Sequence, residues 1–376
     1  NERIGFFRYL DLISPGQDYT FGNVINPGTA VLVDNDDGIS WETTTISNIG
    51  IDASFFGGKL TTSFEYFDKT TEDVLRPVGI PSQVGSLGGP IRNIGAIEND
   101  GIEFSLGHRE YFGNFRYDLS GSVTYITNKV VDLNGEIILE DNSTDGRGPF
   151  NITQEGNPIN QFLLYQADGL FQSQEEIDAH AFQGTDTQPG YIKYKDLDNN
   201  GVIDLNDRQA EGNTIPKYTY SFNLNFGYKN FSLNTFWQGV EGVQTYNKHV
   251  SGVPFWFGTS LPVGWANDSW TPENRDANFP ILTRYQDTQA TLFRPSDYWL
   301  LDASYLRLKN IQLAYDFNAE VLESIGMTKL SIFCNAQNLL TFTPLKDFDP
   351  ETDLIGNNFF DYPSTKIYTI GLNVSF

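Results

Sequence analysis

The chain is poor in much of what a soluble enzyme relies on. Its 376 residues include one cysteine, one methionine and three histidines. Cys334 has no partner for an internal disulfide, so cysteine usage leaves the redox compartment unread. A small apolar strand residue accounts for it. His108, His180 and His249 are isolated surface positions, and no two have metal-ligand spacing. Basic residues are scarce: 24 Lys and Arg stand against 48 Asp and Glu, a net charge of −24. That balance argues against nucleic-acid binding, which needs a basic footprint to neutralise phosphates. No apolar run reaches 18 residues, so a transmembrane helix is not expected. Gly85–Pro90 lacks the Lys-Ser/Thr of a phosphate-binding loop. No Ser/His/Asp set or paired carboxylates stand out, and no catalytic activity is expected.

Aromatics are dense at 14%, with 29 Phe and 19 Tyr, and there are 35 Gly. Such a composition suits strands and turns better than helices. The ordering is more informative. Tyr218, Tyr220, Phe222, Leu224, Phe226 and Tyr228 alternate with Thr219, Ser221, Asn223, Asn225 and Gly227. Tyr368, Ile370, Leu372, Val374 and Phe376 repeat the pattern at the C-terminus, and shorter copies occur near residues 49–66 and 102–125. Strands of roughly 10 to 13 residues, tilted about 40°, span the ~25 Å apolar band of an outer membrane. Soluble strands average about 5–6 residues. One apolar face opposite one small polar face fits lipid on one side and a wet lumen on the other. The mean hydropathy of −0.35 is no objection, because such alternation averages out.

Strands are expected near 42–55, 58–69, 99–109, 113–127, 217–229, 231–244, 300–316, 328–342 and 365–376, with a tenth at 3–10. The joins then alternate. Short ones fall at Gly57-Gly58, Glu110–Phe112, Lys229-Asn230 and Asn318–Met327; long ones at 70–98, 128–216, 245–299 and 343–364. Short periplasmic turns and long external loops characterise bacterial outer-membrane barrels. The expected fold is therefore all-β, an antiparallel transmembrane barrel. Nine or ten strands with no plug ahead of them read as part of a larger wall.

Within the loop 128–216, Asp196-Leu-Asp198-Asn-Asn200-Gly-Val202-Ile-Asp204-Leu-Asn-Asp207 has the spacing of an EF-hand-like loop. Oxygen ligands would come from Asp196, Asp198, Asn200, the Val202 carbonyl, Asp204 and Asp207. Gly201 would permit the sharp turn, and Ile203 would pin the loop by packing inward. Ca²⁺ is the expected ion, with Mg²⁺ possible because Asp207 replaces the usual longer Glu. The alternative is an acidic turn without an ion. The 245–299 loop gathers Phe255, Trp256, Phe257, Trp265 and Trp270, either to stack on a substrate or to pack the loop itself.

Several stretches carry a family resemblance. Asp302-Ala-Ser-Tyr-Leu-Arg-Leu-Lys-Asn310 resembles the D-x-S-[YF]-L-R-[LI]-K-N strand of SusC/RagA-type TonB-dependent transporters. Asn335–Thr343 with Phe348-Asp349-Pro350-Glu351, Trp270-Thr-Pro-Glu-Asn274, Ser364–Phe376, Asn48–Val78 and Asn93–Leu106 are similar to other parts of that family. Arg307 and Lys309 are read as lumen-facing charges. The resemblance implies the C-terminal portion of a barrel of about 22 strands, residues 1–376, in the outer membrane of a Gram-negative, Bacteroides-type cell. It also implies import of glycans or oligopeptides driven by TonB–ExbB–ExbD, under a SusD-like surface lipoprotein lid, with a similar acidic segment in the external loop. A scaffold role in a larger outer-membrane assembly is the alternative, and an uncoupled porin or autotransporter-type barrel a third.

Overall fold

A computed structural model describes residues 10, 13–32, 36–77, 90–140, 151–246, 261, 263–283, 291–318, 322, 326–345, 349–351 and 362–376. Nine strands make one sheet: Thr43–Phe55 (β1), Leu60–Glu72 (β2), Ala96–Phe112 (β3), Phe115–Asp132 (β4), Tyr218–Tyr228 (β5), Phe231–Glu241 (β6), Tyr305–Asp316 (β7), Lys329–Phe342 (β8) and Ile367–Ser375 (β9). They lie in sequence order, each antiparallel to the next, with β1 and β9 at the two edges. This is the up-and-down meander expected of a barrel wall. The tenth strand anticipated at residues 3–10 falls almost wholly outside the described residues.

The register separates the two faces. Phe226, Leu224, Phe222 and Tyr220 of β5 stand opposite Tyr117, Leu119, Gly121 and Val123 of β4, and opposite Leu233, Thr235, Trp237 and Gly239 of β6. On β5 the alternate positions carry Thr219, Ser221, Asn223, Asn225 and Gly227. Ser122 and Ser221 share a hydrogen bond at 3.0 Å, and Asn223 donates to Ser120 at 3.5 Å. Outward apolar residues have no protein cover: Ile49 is 75% exposed and Ile370 76%. In water such a face would be a large liability; against hydrocarbon it is the solvent-matched surface. No described helix is long and apolar enough to cross a membrane, which is immaterial to crossing by strands.

The structure moves several expected boundaries. β3 and β4 run to 17 and 18 residues, roughly 55–60 Å of strand, so their long-loop ends project well beyond the apolar band. The β3–β4 turn is Gly113-Asn114 rather than Glu110–Phe112, and Gly113 takes φ +59°. Glycine adopts that left-handed backbone without steric cost. Lys229 occupies the same region at φ 52° in the β5–β6 turn. The strand anticipated at 300–316 is two pieces. Leu300–Asp302 pairs with Gln244–Tyr246 in a separate ladder, and the main sheet resumes at Tyr305. Buried Val243 and Ala303 mark the break, with Ala303 N–H donating to the Val243 carbonyl at 3.0 Å.

The main hydrophobic core lies above the sheet, in the two longest loops. Ile138–Glu140, Asn151–Thr153, Gln161–Tyr165 and Arg208–Glu211 form a four-stranded sheet, and Ala167–Leu170 pairs with Ile192–Tyr194. A short helix, Gln174–Asp178, begins at Ser173, whose hydroxyl accepts from Glu176 N–H. Phe162, Leu164, Phe171 and Tyr194 from the first loop pack with Trp265, Trp270, Leu292, Phe293 and Trp299 from the second. Backbone bonds join the loops directly, since Tyr165 N–H donates to the Pro295 carbonyl at 2.9 Å. The two loops fold together as one external module.

Candidate functional site

The acidic loop sits on this module. Gly201, at φ +85°, makes the turn, and its N–H donates to Asp196 at 2.8 Å. Asn200 N–H donates to Asp198 at 3.0 Å, and the Asn200 side-chain oxygen accepts from Val202 N–H at 2.7 Å. Ile203 is 2% exposed and belongs to the module core. On either side of it, Phe182 N–H bonds Gly201 and Ile203 N–H bonds Phe182. The inward packing expected of Ile203 is thus present.

Oxygen atoms of Asp196, Asp198 and Asp207 lie within 4.8 Å of one another. Asp207 is fully buried, and its two oxygens accept from Leu197 N–H and Asp204 N–H, each at 2.7 Å. Three carboxylates this close repel unless something compensates them. The donor set, all oxygen and mostly anionic, suits a hard divalent cation. Asp204 is placed differently. Its carboxylate caps the turn Leu205–Asp207, accepting from Asn206 N–H at 2.7 Å. In loops of this spacing the ninth position often reaches its ion through water, so this placement leaves the other donors free to converge.

A second charged cluster was not foreseen as a unit. Arg307 on β7 donates to Asp349 at 2.6 Å and also pairs with Glu351; its Nε donates to Thr341 of β8 at 2.9 Å. Lys309 reaches Glu351 at 2.7 Å, and the Tyr305 hydroxyl donates to the same carboxylate at 2.9 Å. Lys309 stands at a bulge, because Trp237 pairs with Leu308 while Phe236 pairs with Asn310. Such an extra residue re-aims its side chain. Burial raises the Asp349 carboxyl, but the Arg307 hydrogen bond and the N–H groups of Glu351 and Ser364 outweigh it. The net effect holds Asp349 below its ordinary range. Asp349 and Glu351, which lie between β8 and β9, are therefore bolted to the inner wall at its long-loop end. Two basic and two acidic residues, each pair at spacing two, were the available sequence signal.

Trp265 and Trp270 of the second loop pack the module. Trp265 is fully buried, stacked on Phe279 and 5.4 Å from Trp299, and Trp270 donates to Gln172 at 3.0 Å. Phe255, Trp256 and Phe257 lie outside the described residues, as do His249 and Gly85–Gly89. His180 bonds the Ala181 carbonyl at 3.0 Å and meets Phe171 edge-on. His108 is half-buried on the outward face.

Residues 7–339 match the family described as TonB dependent receptor-like, beta-barrel. TonB-dependent receptor P3 of Formosa agariphila is 30% identical over 364 residues, covering 90% of this chain and 35% of that protein. TonB-dependent receptor SusC of Bacteroides thetaiotaomicron is 24% identical, covering 98% of this chain and 36% of SusC. Among solved structures, the RagAB peptide transporter superposes over the full chain with a TM-score of 0.78 at 22% identity, using 40% of that chain. The chain thus spans little more than a third of the relatives it matches. Wall topology, register and these likenesses agree: the chain belongs to the TonB-dependent receptor family and forms β-barrel wall in the outer membrane.

Proposed function

We propose that the protein containing this chain imports glycans or oligopeptides across the outer membrane, coupled to TonB–ExbB–ExbD and covered by a SusD-like surface lipoprotein. The observation that carries this reading is the pairing of a polar-lined wall with a folded external module. A passive pore needs no such elaborated rim, whereas capture of a bulky solute from a lid does. The TonB-dependent relatives support the energy coupling. The acidic loop belongs to the same reading. Asp196, Asp198, Asn200, the Val202 carbonyl and Asp207 hold one Ca²⁺ or Mg²⁺, with Asp204 behind a water, and the ion stiffens the module instead of doing chemistry.

The test is uptake by intact cells. Deleting the gene should abolish growth on one glycan or peptide mixture while leaving growth on monomers intact, and the wild-type gene should restore it. Dissipating the proton-motive force should stop uptake in cells that still bind the nutrient. Growth unchanged on every polymeric nutrient, with the outer membrane altered in composition, would favour the scaffold role.

A further inference from the structure

The outward face of the sheet carries a groove among its described residues. Between β3, β4 and β5 lies a groove of about 480 Å³, within the roughly 300–1,000 Å³ of pockets that hold small molecules. Leu106, Gly121 and Phe222 stand side by side along its midline. Val123 and Tyr220 border it toward the long loops, and Leu119 and His108 toward the short turns.

The groove is open because three side chains are missing or turned aside. Gly121 supplies none. Phe222 leans toward β6 and stacks on Trp237, centroids 5.6 Å apart and planes 17° apart. The Tyr220 ring leans the same way, over Gly239, where an added Cβ would meet it at 2.6 Å. Gly121 and Gly239 are the two outward glycines of the nine strands, and only Gly239 is covered. A Cβ on Gly121 would sit 3.4 Å from its nearest neighbour, an ordinary contact, and its φ is not left-handed. Neither crowding nor backbone conformation requires glycine there. What the absent side chain provides is space.

The groove has a polar end. His108 Nδ1 and the Tyr117 hydroxyl are 3.1 Å apart, with their rings stacked at 5.5 Å. In the next row toward the turns, Lys59 pairs with Glu110 at 2.7 Å. An apolar trough thus ends, on the short-turn side, at an imidazole and a phenol, with the Lys59–Glu110 ion pair beyond them. In an outer-membrane barrel that side faces the periplasm, where a lipid offers an apolar tail and a phosphate head in this orientation. We propose that the groove binds one glycerophospholipid of the periplasmic leaflet, an acyl chain lying along Gly121 and the head group hydrogen-bonded at His108 and Tyr117, beside the Lys59–Glu110 ion pair. This is independent of what the barrel imports.

The test uses the full-length protein extracted from outer membranes in mild detergent and weighed by native mass spectrometry. Wild type should retain one phospholipid through delipidation. Gly121→Leu should lower its occupancy on the order of tenfold, because the added side chain fills the space between Leu106 and Phe222 and an acyl chain there would be overpacked. Ala336→Leu, an outward change on β8 away from the groove, should retain the lipid. Heat-modifiable migration on gels would establish that each variant is folded. Equal retention by wild type and Gly121→Leu overturns the proposal, as does equal loss in both variants. A bare wild-type mass, or a retained mass matching lipopolysaccharide, overturns it too.

Discussion

Arg307 and Asp349 form a near-dry ion pair: their nitrogen and oxygen are 2.6 Å apart, and the two side chains are 4% and 5% exposed. One partner belongs to the wall and the other to the β8–β9 connection, so this pair decides whether that loop stays on the rim. Removing one member of a buried pair typically costs about 3–5 kcal/mol, because the other charge is left uncompensated. Arg307→Met should release residues 343–366 to limited proteolysis while the barrel stays heat-modifiable. Intact protection of that segment would show that the loop is held by other contacts.

The same pair has a pH signature. The Asp349 carboxyl is lowered in the folded state, by its partners against the opposing effect of burial. Its contribution is therefore complete above the unfolded carboxyl value and is lost as pH falls through the folded one. Proteolysis of the loop should stay flat from neutral pH to the ordinary carboxylate range and rise only below it. A rise beginning near pH 6 would point to a histidine instead.

For the acidic loop, Asp196→Ala with Asp198→Ala should increase cleavage within residues 191–210, and a chelator should do the same to wild type. Calcium should restore protection to wild type and leave the double variant unchanged. Protection indifferent to both chelator and substitution would leave an acidic turn closed by its own backbone bonds.

Facing of β5 can be read with single cysteines in a Cys334→Ser background. A membrane-impermeant thiol reagent should label Ser221→Cys, Asn223→Cys and Asn225→Cys, and spare Tyr220→Cys, Phe222→Cys and Leu224→Cys. Equal labelling of the two sets would sink the assignment of faces.

Trp265 tests whether the external module is a unit. It is fully buried and its indole N–H donates to the Pro280 carbonyl at 3.0 Å. Trp265→Ala should cost about 3–5 kcal/mol, loosening both long loops together. Hydrogen exchange should speed up across 160–210 as well as 263–299, with β1–β9 unaffected. Faster exchange confined to 263–299 would mean the loops are stabilised separately.

Alternation along the chain determined a great deal unaided. Strand pattern is local with period two, so Tyr218–Tyr228 and Ile367–Ser375 announce both their extent and their lipid face. The order of short and long joins then gave the meander, and the Asp196–Asp207 spacing marked the acidic loop. Only the tertiary structure decided the rest. The Gly113-Asn114 turn lies beyond the expected Glu110–Phe112 because Lys59 pairs with Glu110 across the strands, and the ladder continues to Phe112 opposite Phe115. The break at Val243 and Ala303 was invisible because it is set by a backbone bond between residues sixty positions apart. Trp270 meeting Gln172 depends on two loops returning to one point, and Arg307 finding Asp349 depends on a connection folding inward. Such contacts join residues distant along the chain, and no periodicity encodes them. Nor does the sequence reveal that Gly121 is left uncovered while Gly239 is not, because that depends on the direction in which two neighbouring rings lean.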